Sequence, residues 1–151
     1  MKRLAIPLFL IVFLVLACAA PSPDEPVSSD NIHTPAAQQA TSYSPSPADG
    51  SLTRGEVFLE LKSLATLESY PVQFMLQLKG ELPTPCHKLR IAVEPPDTDN
   101  KVAVDVYSVV NPAEICIQVL APFEVAFPLG SYPAGIYTLW VNGEMVAEFQ
   151  A

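Results

Sequence analysis

The sequence predicts an all-β protein, with a single antiparallel β-sandwich of seven or eight short strands in residues 54–151. Three observations predict this fold. Apolar and polar residues alternate along most of this stretch, proline recurs between the alternating segments, and no segment has a convincing helical pattern. A period of two is typical of strands with one buried face. Many short strands of this kind indicate two packed antiparallel sheets.

The first two strands are predicted before residue 82. Apolar residues alternate with mostly charged residues over 57–62, which predicts a strand. The overlapping window 59–69 also has helix-like spacing, so a helix stays open there as the alternative. The second strand is predicted over 72–79, where the alternation is regular, and it is expected to end at Gly80.

Four more strands are predicted in the middle of the chain. Residues 88–93 and 101–106 alternate regularly, and the turn-forming residues 95–100 between them predict that these two strands are neighbours. Residues 115–119 have isoleucine or valine at every second position, which predicts a fifth strand. Residues 123–129 predict a sixth.

A terminal hairpin is predicted around Asn142-Gly143. A two-residue type I′ turn needs positive φ at both positions, which these residue types tolerate. The flanking strands are residues 136–141 and 144–149. The apolar residues expected on one face of the hairpin are Tyr137, Leu139, Val141, Met145, Ala147 and Phe149.

The amino-terminal residues have the composition of a secretory signal peptide. Lys2 and Arg3 precede an uncharged apolar run over residues 4–17, and Cys18 follows the small residue Ala17. The run of 14 residues is shorter than the roughly 20 needed for a helix to span a bilayer. A transmembrane anchor or an ordinary secretion signal stays open as an alternative. With Cys18 at its end, the segment resembles a bacterial lipoprotein signal, in which the cysteine is lipid-modified and becomes the mature amino terminus.

This resemblance implies how the chain is organised. Residues 1–17 would be the signal peptide, and Cys18 would attach the protein to the extracytoplasmic face of the cell membrane or the outer membrane. Residues 18–53, rich in proline, serine and alanine, predict a disordered tether. Without residues 1–17 the chain has 6 basic and 16 acidic residues, a net charge of −10, which disfavours nucleic acid as a partner.

Two cysteines remain once Cys18 is assigned to the lipid. Cys86 and Cys116 form an even pair in an exported domain, which predicts a disulfide. A reactive thiol or a metal site with His87, beside Cys86, is the alternative, although the pair lacks further ligands.

Two stretches of the domain resemble exported bacterial proteins. Residues 133–143 resemble the closing hairpin of bacterial cell-surface immunoglobulin-like domains, which implies that Tyr137 closes a corner by bonding to upstream backbone. Trp140 follows both domain cysteines, unlike the order in antibody-type domains. Residues 116–124, together with Cys86, are similar to small bacterial lipoproteins and surface domains, a likeness that implies no activity.

The sequence predicts binding rather than catalysis. It has two histidines, His33 and His87, and neither a nucleophile elbow nor a phosphate-binding loop, so no catalytic residue, cofactor or metal is predicted. We expect a non-enzymatic, membrane-anchored binding or accessory module for an envelope or extracellular protein or a glycan. The alternative is an inhibitor of extracellular proteases or other hydrolases. The residues predicted to form the binding loops are Asp97, Asp99, Asn100, Tyr132 and Pro133, the first three being a weak alternative calcium loop.

Overall fold

A computed structural model describes residues 42–151, in which eight β-strands form two sheets. A 3₁₀ helix, Pro47–Ser51, precedes the first strand. The strands, in chain order, are β1 (Thr53–Gly55), β2 (Phe58–Leu67), β3 (Gln73–Leu82), β4 (Lys88–Val93), β5 (Lys101–Val110), β6 (Ala121–Gly130), β7 (Ile136–Val141) and β8 (Glu144–Gln150). The predicted all-β sandwich is confirmed, and the window that could have been a helix is the strand β2.

The larger sheet is built around β5. Strand β4 pairs along one edge of β5, and two strands share the other edge: β1 pairs antiparallel near its end, and β7 pairs parallel over residues 101–104. Strand β8 extends the sheet beyond β7. The prediction of purely antiparallel pairing is therefore wrong for β5 and β7. The chain crosses to the smaller sheet in β6 and returns, so β7 runs in the same direction as β5.

The smaller sheet has the order β2-β3-β6. The prediction that Gly80 ends the second strand is wrong, because β3 continues to Leu82. At Gly80 the neighbouring strand carries a register shift between Leu59 and Leu61, and a Cβ atom at position 80 would collide with the carbonyl oxygen of Phe58. The glycine permits this close approach of two backbones.

The closing hairpin has the predicted turn, but one of its apolar side chains lies on the face opposite to the predicted one. Asn142 and Gly143 have φ of 49° and 82°, as a type I′ turn requires. Met145 is exposed, so its predicted place with the buried residues is wrong. A register shift in the ladder skips Val146, which turns Met145 to the outer face and lets Val146 pack against the core.

The core lies between the two sheets and is almost entirely aliphatic and aromatic. Its buried residues are Phe74, Leu76, Leu78, Leu82, Leu89, Ile91, Val102, Val104, Val106, Val125, Phe127, Tyr137, Leu139, Val141 and Phe149. Near one end, Phe74 and Tyr137 both contact the ring of Phe149. The Tyr137 hydroxyl donates to the carbonyl of Pro133 (3.1 Å), so the corner implied by the hairpin resemblance is present.

One side chain fills a gap in the larger sheet. Strands β1 and β7 leave the middle of one β5 edge without a neighbouring strand, at Val106. The Val106 N–H donates to Oδ1 of Asn142 (2.7 Å), and Nδ2 of Asn142 donates to the Val106 carbonyl (2.8 Å). The amide of Asn142 thus makes the two bonds that a neighbouring backbone would have made.

Residues before β1 pack on the sandwich. Tyr43 contacts the core, and Asp49, in the 3₁₀ helix, accepts two hydrogen bonds from the Arg90 guanidinium (2.7 and 2.8 Å). The predicted boundary between tether and domain, at residues 53 and 54, falls inside this packed region. Cys18 and the rest of the predicted signal and tether up to residue 41 lie outside the described residues. Residues 42–151 contain no helix long and apolar enough to cross a membrane.

The ion pair between Asp49 and Arg90 makes the free energy of unfolding depend on pH in the acidic range. The hydrogen bond from Arg90, with a second from the Ser46 backbone, lowers the pKa of Asp49 from 3.8 to about 2. Because the folded pKa is the lower one, this contribution is present above pH 4 and is lost as the pH falls through about 2. Urea unfolding at a series of pH values should show a smaller decline for Asp49→Asn than for the natural chain. An unchanged decline would contradict this assignment.

Candidate functional site

The two loops predicted to bind do lie together, at one end of the sandwich. The Asn100 side-chain amide donates to the Ile136 carbonyl (3.1 Å), and the Thr138 N–H donates to the Asn100 carbonyl (3.1 Å). These contacts join the loop after β4 to the residues that begin β7. The two predicted binding loops are therefore neighbours in the structure.

Most of the predicted binding residues nevertheless serve the fold. The carboxylate of Asp97 accepts hydrogen bonds from the N–H groups of Asp99 and Lys101, both at 2.9 Å. Tyr132 is half-buried against core aromatic rings, and burial raises the pKa of its hydroxyl. Pro133 is exposed, but its carbonyl is the acceptor of the Tyr137 corner. Asp97, Asn100 and Tyr132 are therefore occupied in holding the two loops.

The opposite end of the sandwich carries an exposed apolar loop, residues 111–120, between β5 and β6. Exposure is 99% for Ile115, 68% for Ile117 and 50% each for Val119 and Leu120. The prediction of a strand at residues 115–119 is wrong, because these residues join neither sheet. Sequence reasoning missed the loop as a site because the same alternation is expected of a half-buried strand.

A disulfide fastens this apolar loop to the domain. Cys116 is bonded to Cys86, with Cα atoms 6.1 Å apart, so the predicted pair is confirmed. It joins the loop after β3 to the loop after β5. Cys116 turns toward Cys86, whereas the side chains of its neighbours Ile115 and Ile117 face solvent.

Further contacts fix the base of the apolar loop. The Asn111 side chain accepts a hydrogen bond from the Ala113 N–H, and its carbonyl accepts one from Glu114, both at 3.0 Å. Beside Cys86, the Thr84 hydroxyl and Nδ1 of His87 are hydrogen-bonded at 2.8 Å. With both cysteines paired, the alternative of a reactive thiol assisted by His87 is not realised. The described residues hold no cluster of three or more possible metal ligands among histidine, cysteine and acids.

An open cleft on the outer face of the larger sheet is another candidate site. It has a volume of about 710 Å³ and lies beside Asn142. Here one guanidinium nitrogen of Arg54 contacts both carboxylate oxygens of Asp105 (2.7 and 2.8 Å), and the guanidinium lies 3.9 Å from the centre of the Tyr107 ring. Arg54 and Asp105 therefore already satisfy one another's charge.

The comparisons with known proteins concern the fold. A family model described as the ORF11 beta-sandwich domain matches residues 76–151, which is half of the chain. The match begins inside β3 and includes both disulfide cysteines and the apolar loop. Neither the curated proteins nor the solved structures gave a match.

Proposed function

The chain belongs to the family of the ORF11 beta-sandwich domain, and from that premise we propose that it is a lipid-anchored, extracytoplasmic binding module. The apolar loop at residues 111–120 is its contact element, and a protein is its partner. A lipid on Cys18 anchors the chain, and the residues between Cys18 and the sandwich set how far the domain can extend from the membrane.

The exposure of Ile115 and Ile117 is the observation that carries this proposal. Burying one large aliphatic side chain on binding contributes about 1.5–3 kcal/mol. Burial of both isoleucines would therefore contribute a large part of the binding free energy. The disulfide holds them in place before binding, which lowers the entropy cost of association. Branched aliphatic side chains favour an apolar protein surface over a glycan, which needs hydrogen-bonding groups and aromatic faces.

The position of the apolar loop also supports this role. Ser44 and Pro45 line a groove with Val93 and Leu129, near the end of the sandwich that carries the loops after β4 and β6. The tether would join the domain on that side. The apolar loop projects from the other end, so it is the end that a partner away from the membrane would meet.

Photo-crosslinking in membranes that contain the full-length protein tests the proposal. A benzophenone amino acid at position 115 should give an adduct of discrete mass. The same residue at position 136 should not, although Ile136 is 62% exposed and serves as the matched control at the other end. Ile117→Ser should lower the yield at position 115 about tenfold, the factor that corresponds to roughly 1.4 kcal/mol.

Two results would contradict the proposal. One is the absence of any adduct at position 115, and the other is the same set of adducts from positions 115 and 136. The anchor is tested in the same membranes: Cys18→Ala should release the chain to the soluble fraction, and a variant that remains bound would contradict the lipid attachment.

A hydrolase inhibitor is the second candidate, because an exposed loop held by a disulfide can occupy the substrate cleft of a protease. The full exposure of Ile115 beside the disulfide favours it. In that case the crosslinked partner would be a hydrolase, and added protein would slow its cleavage of a peptide substrate. A partner whose hydrolytic activity is unchanged, or which has none, would leave the accessory module as the function.

A further inference from the structure

The apolar loop has the sequence of a β-strand without the pairing of one. Ile115, Ile117 and Val119 occupy alternate positions, which is the pattern of a strand with one buried face. Within residues 42–151, however, the segment 115–119 pairs with no strand, and its apolar side chains face solvent. Within the described domain, this alternating pattern therefore contributes to neither sheet.

The backbone of this segment is also free to pair. None of the backbone N–H groups from Ile115 to Val119 donates a hydrogen bond to another of the described residues. One carbonyl in the segment, that of Cys116, accepts a bond from the side chain of Gln118 (3.2 Å). A segment with unpaired backbone groups and apolar side chains at alternate positions can pair with the edge of another sheet.

We propose that residues 115–119 bind by β-strand addition to the edge strand of a partner protein's sheet, beside an apolar groove in that protein. This inference rests on the proposed function and specifies how the apolar loop engages its partner. Backbone hydrogen bonds supply the register, and the groove accepts Ile115, Ile117 and Val119. The disulfide fixes the segment to the domain at Cys116, which restricts its backbone before pairing.

Two observations favour a different protein over a second copy of this chain. An antiparallel pair of two copies would be a two-stranded ribbon with its apolar face still open to water, and such ribbons are marginally stable. The mature chain also carries a net charge of −10, so two copies repel each other. With Glu114 at the start of the segment, a partner edge that carries basic residues is the better complement.

Proline substitutions test backbone pairing separately from side-chain contact. In a strand, consecutive N–H groups point to opposite edges, and one edge alone faces the partner. The probe is the benzophenone crosslink from position 115 in native membranes, compared between Gln118→Pro and Gln118→Ala, and between Val119→Pro and Val119→Ala. Each alanine variant removes the side chain and keeps the N–H group, so it is the matched control for its proline.

We expect one proline variant of the two to lower the adduct yield at least tenfold relative to its alanine control, while the other stays within about twofold. The crosslinked partner peptide should be an edge strand with apolar residues at alternate positions. If neither proline differs from its alanine, strand addition is overturned and the proposed function stands. A partner peptide from a second copy overturns the choice of partner. If the unsubstituted loop gives no adduct, both the proposed function and this inference fail. Equal thermal midpoints of the four variants exclude misfolding as the cause.

Discussion

Replacing both Cys86 and Cys116 with serine should lower the free energy of unfolding by about 3–4 kcal/mol, the value that the chain-entropy model gives for a loop of this size. The cysteines are 30 residues apart, so the bond restricts a large part of the unfolded chain. For a domain of this size that loss is a large part of the total stability. Urea unfolding, followed by the fluorescence of Trp140, measures the change.

Reductant provides the control for the disulfide. The natural chain in reductant should unfold at the same urea concentration as the double serine variant, and the variant itself should not respond to reductant. Equal stability of the oxidised natural chain and the variant would contradict the prediction. Hydrogen exchange at residues 115–119 should also change little in rate, because these amides already lack hydrogen-bond acceptors within the described residues, whereas crosslinking from position 115 should weaken as the segment loses its fixed direction.

Replacing Asn142 with alanine should lower the free energy of unfolding by about 3 kcal/mol. About 2 kcal/mol comes from the two bonds to the buried Val106 backbone, and about 1 kcal/mol from alanine at positive φ. Val106 is 2% exposed, and in the folded chain both of its backbone groups are hydrogen-bonded to the Asn142 side chain. Denaturant unfolding of the natural and substituted chains measures the difference.

Asn142→Gly separates the two contributions. Glycine accepts the φ of 49° without strain but has no amide, so it should lose about 2 kcal/mol rather than 3. Asn142→Asp keeps an acceptor for the Val106 N–H and places a second oxygen against the Val106 carbonyl, so it should be no better than glycine. Natural stability in the glycine variant would show that the side chain contributes nothing to the sheet.

Local patterns in the sequence predicted most of the strands but could not identify neighbours that are distant in the chain. The Asn142-Gly143 turn and the β4–β5 pair were predictable because each depends on residues close together in the chain. The parallel pairing of β5 with β7 was not, since it follows from two crossings between the sheets. Met145 was misplaced because a register shift reverses the inward and outward faces, and such shifts leave no mark in simple alternation. Gly80 was misplaced because a glycine inside a strand, needed for close backbone approach, cannot be told in sequence from one that ends it.

The candidate site was harder to predict than the fold. Polar, turn-forming residues such as Asp97 and Asn100 are typical of binding loops, yet they are also the residues that hold loops together, and here they do the latter. Ile115 and Ile117 resembled a core strand because alternation reports a half-buried face without reporting what covers it. Only the position of the segment, outside both sheets, distinguishes an exposed surface from a core.

The bond between Cys86 and Cys116 also limits how the apolar loop can vary. Ile115 and Ile117 face solvent on either side of Cys116, whose side chain is held by Cys86. Exchanging Ile115 or Ile117 for another large aliphatic residue keeps that arrangement. Inserting or deleting one residue beside Cys116 would change which residues flank the bridge and so displace one of the isoleucines. The loop can therefore diverge in residue type far more easily than in length.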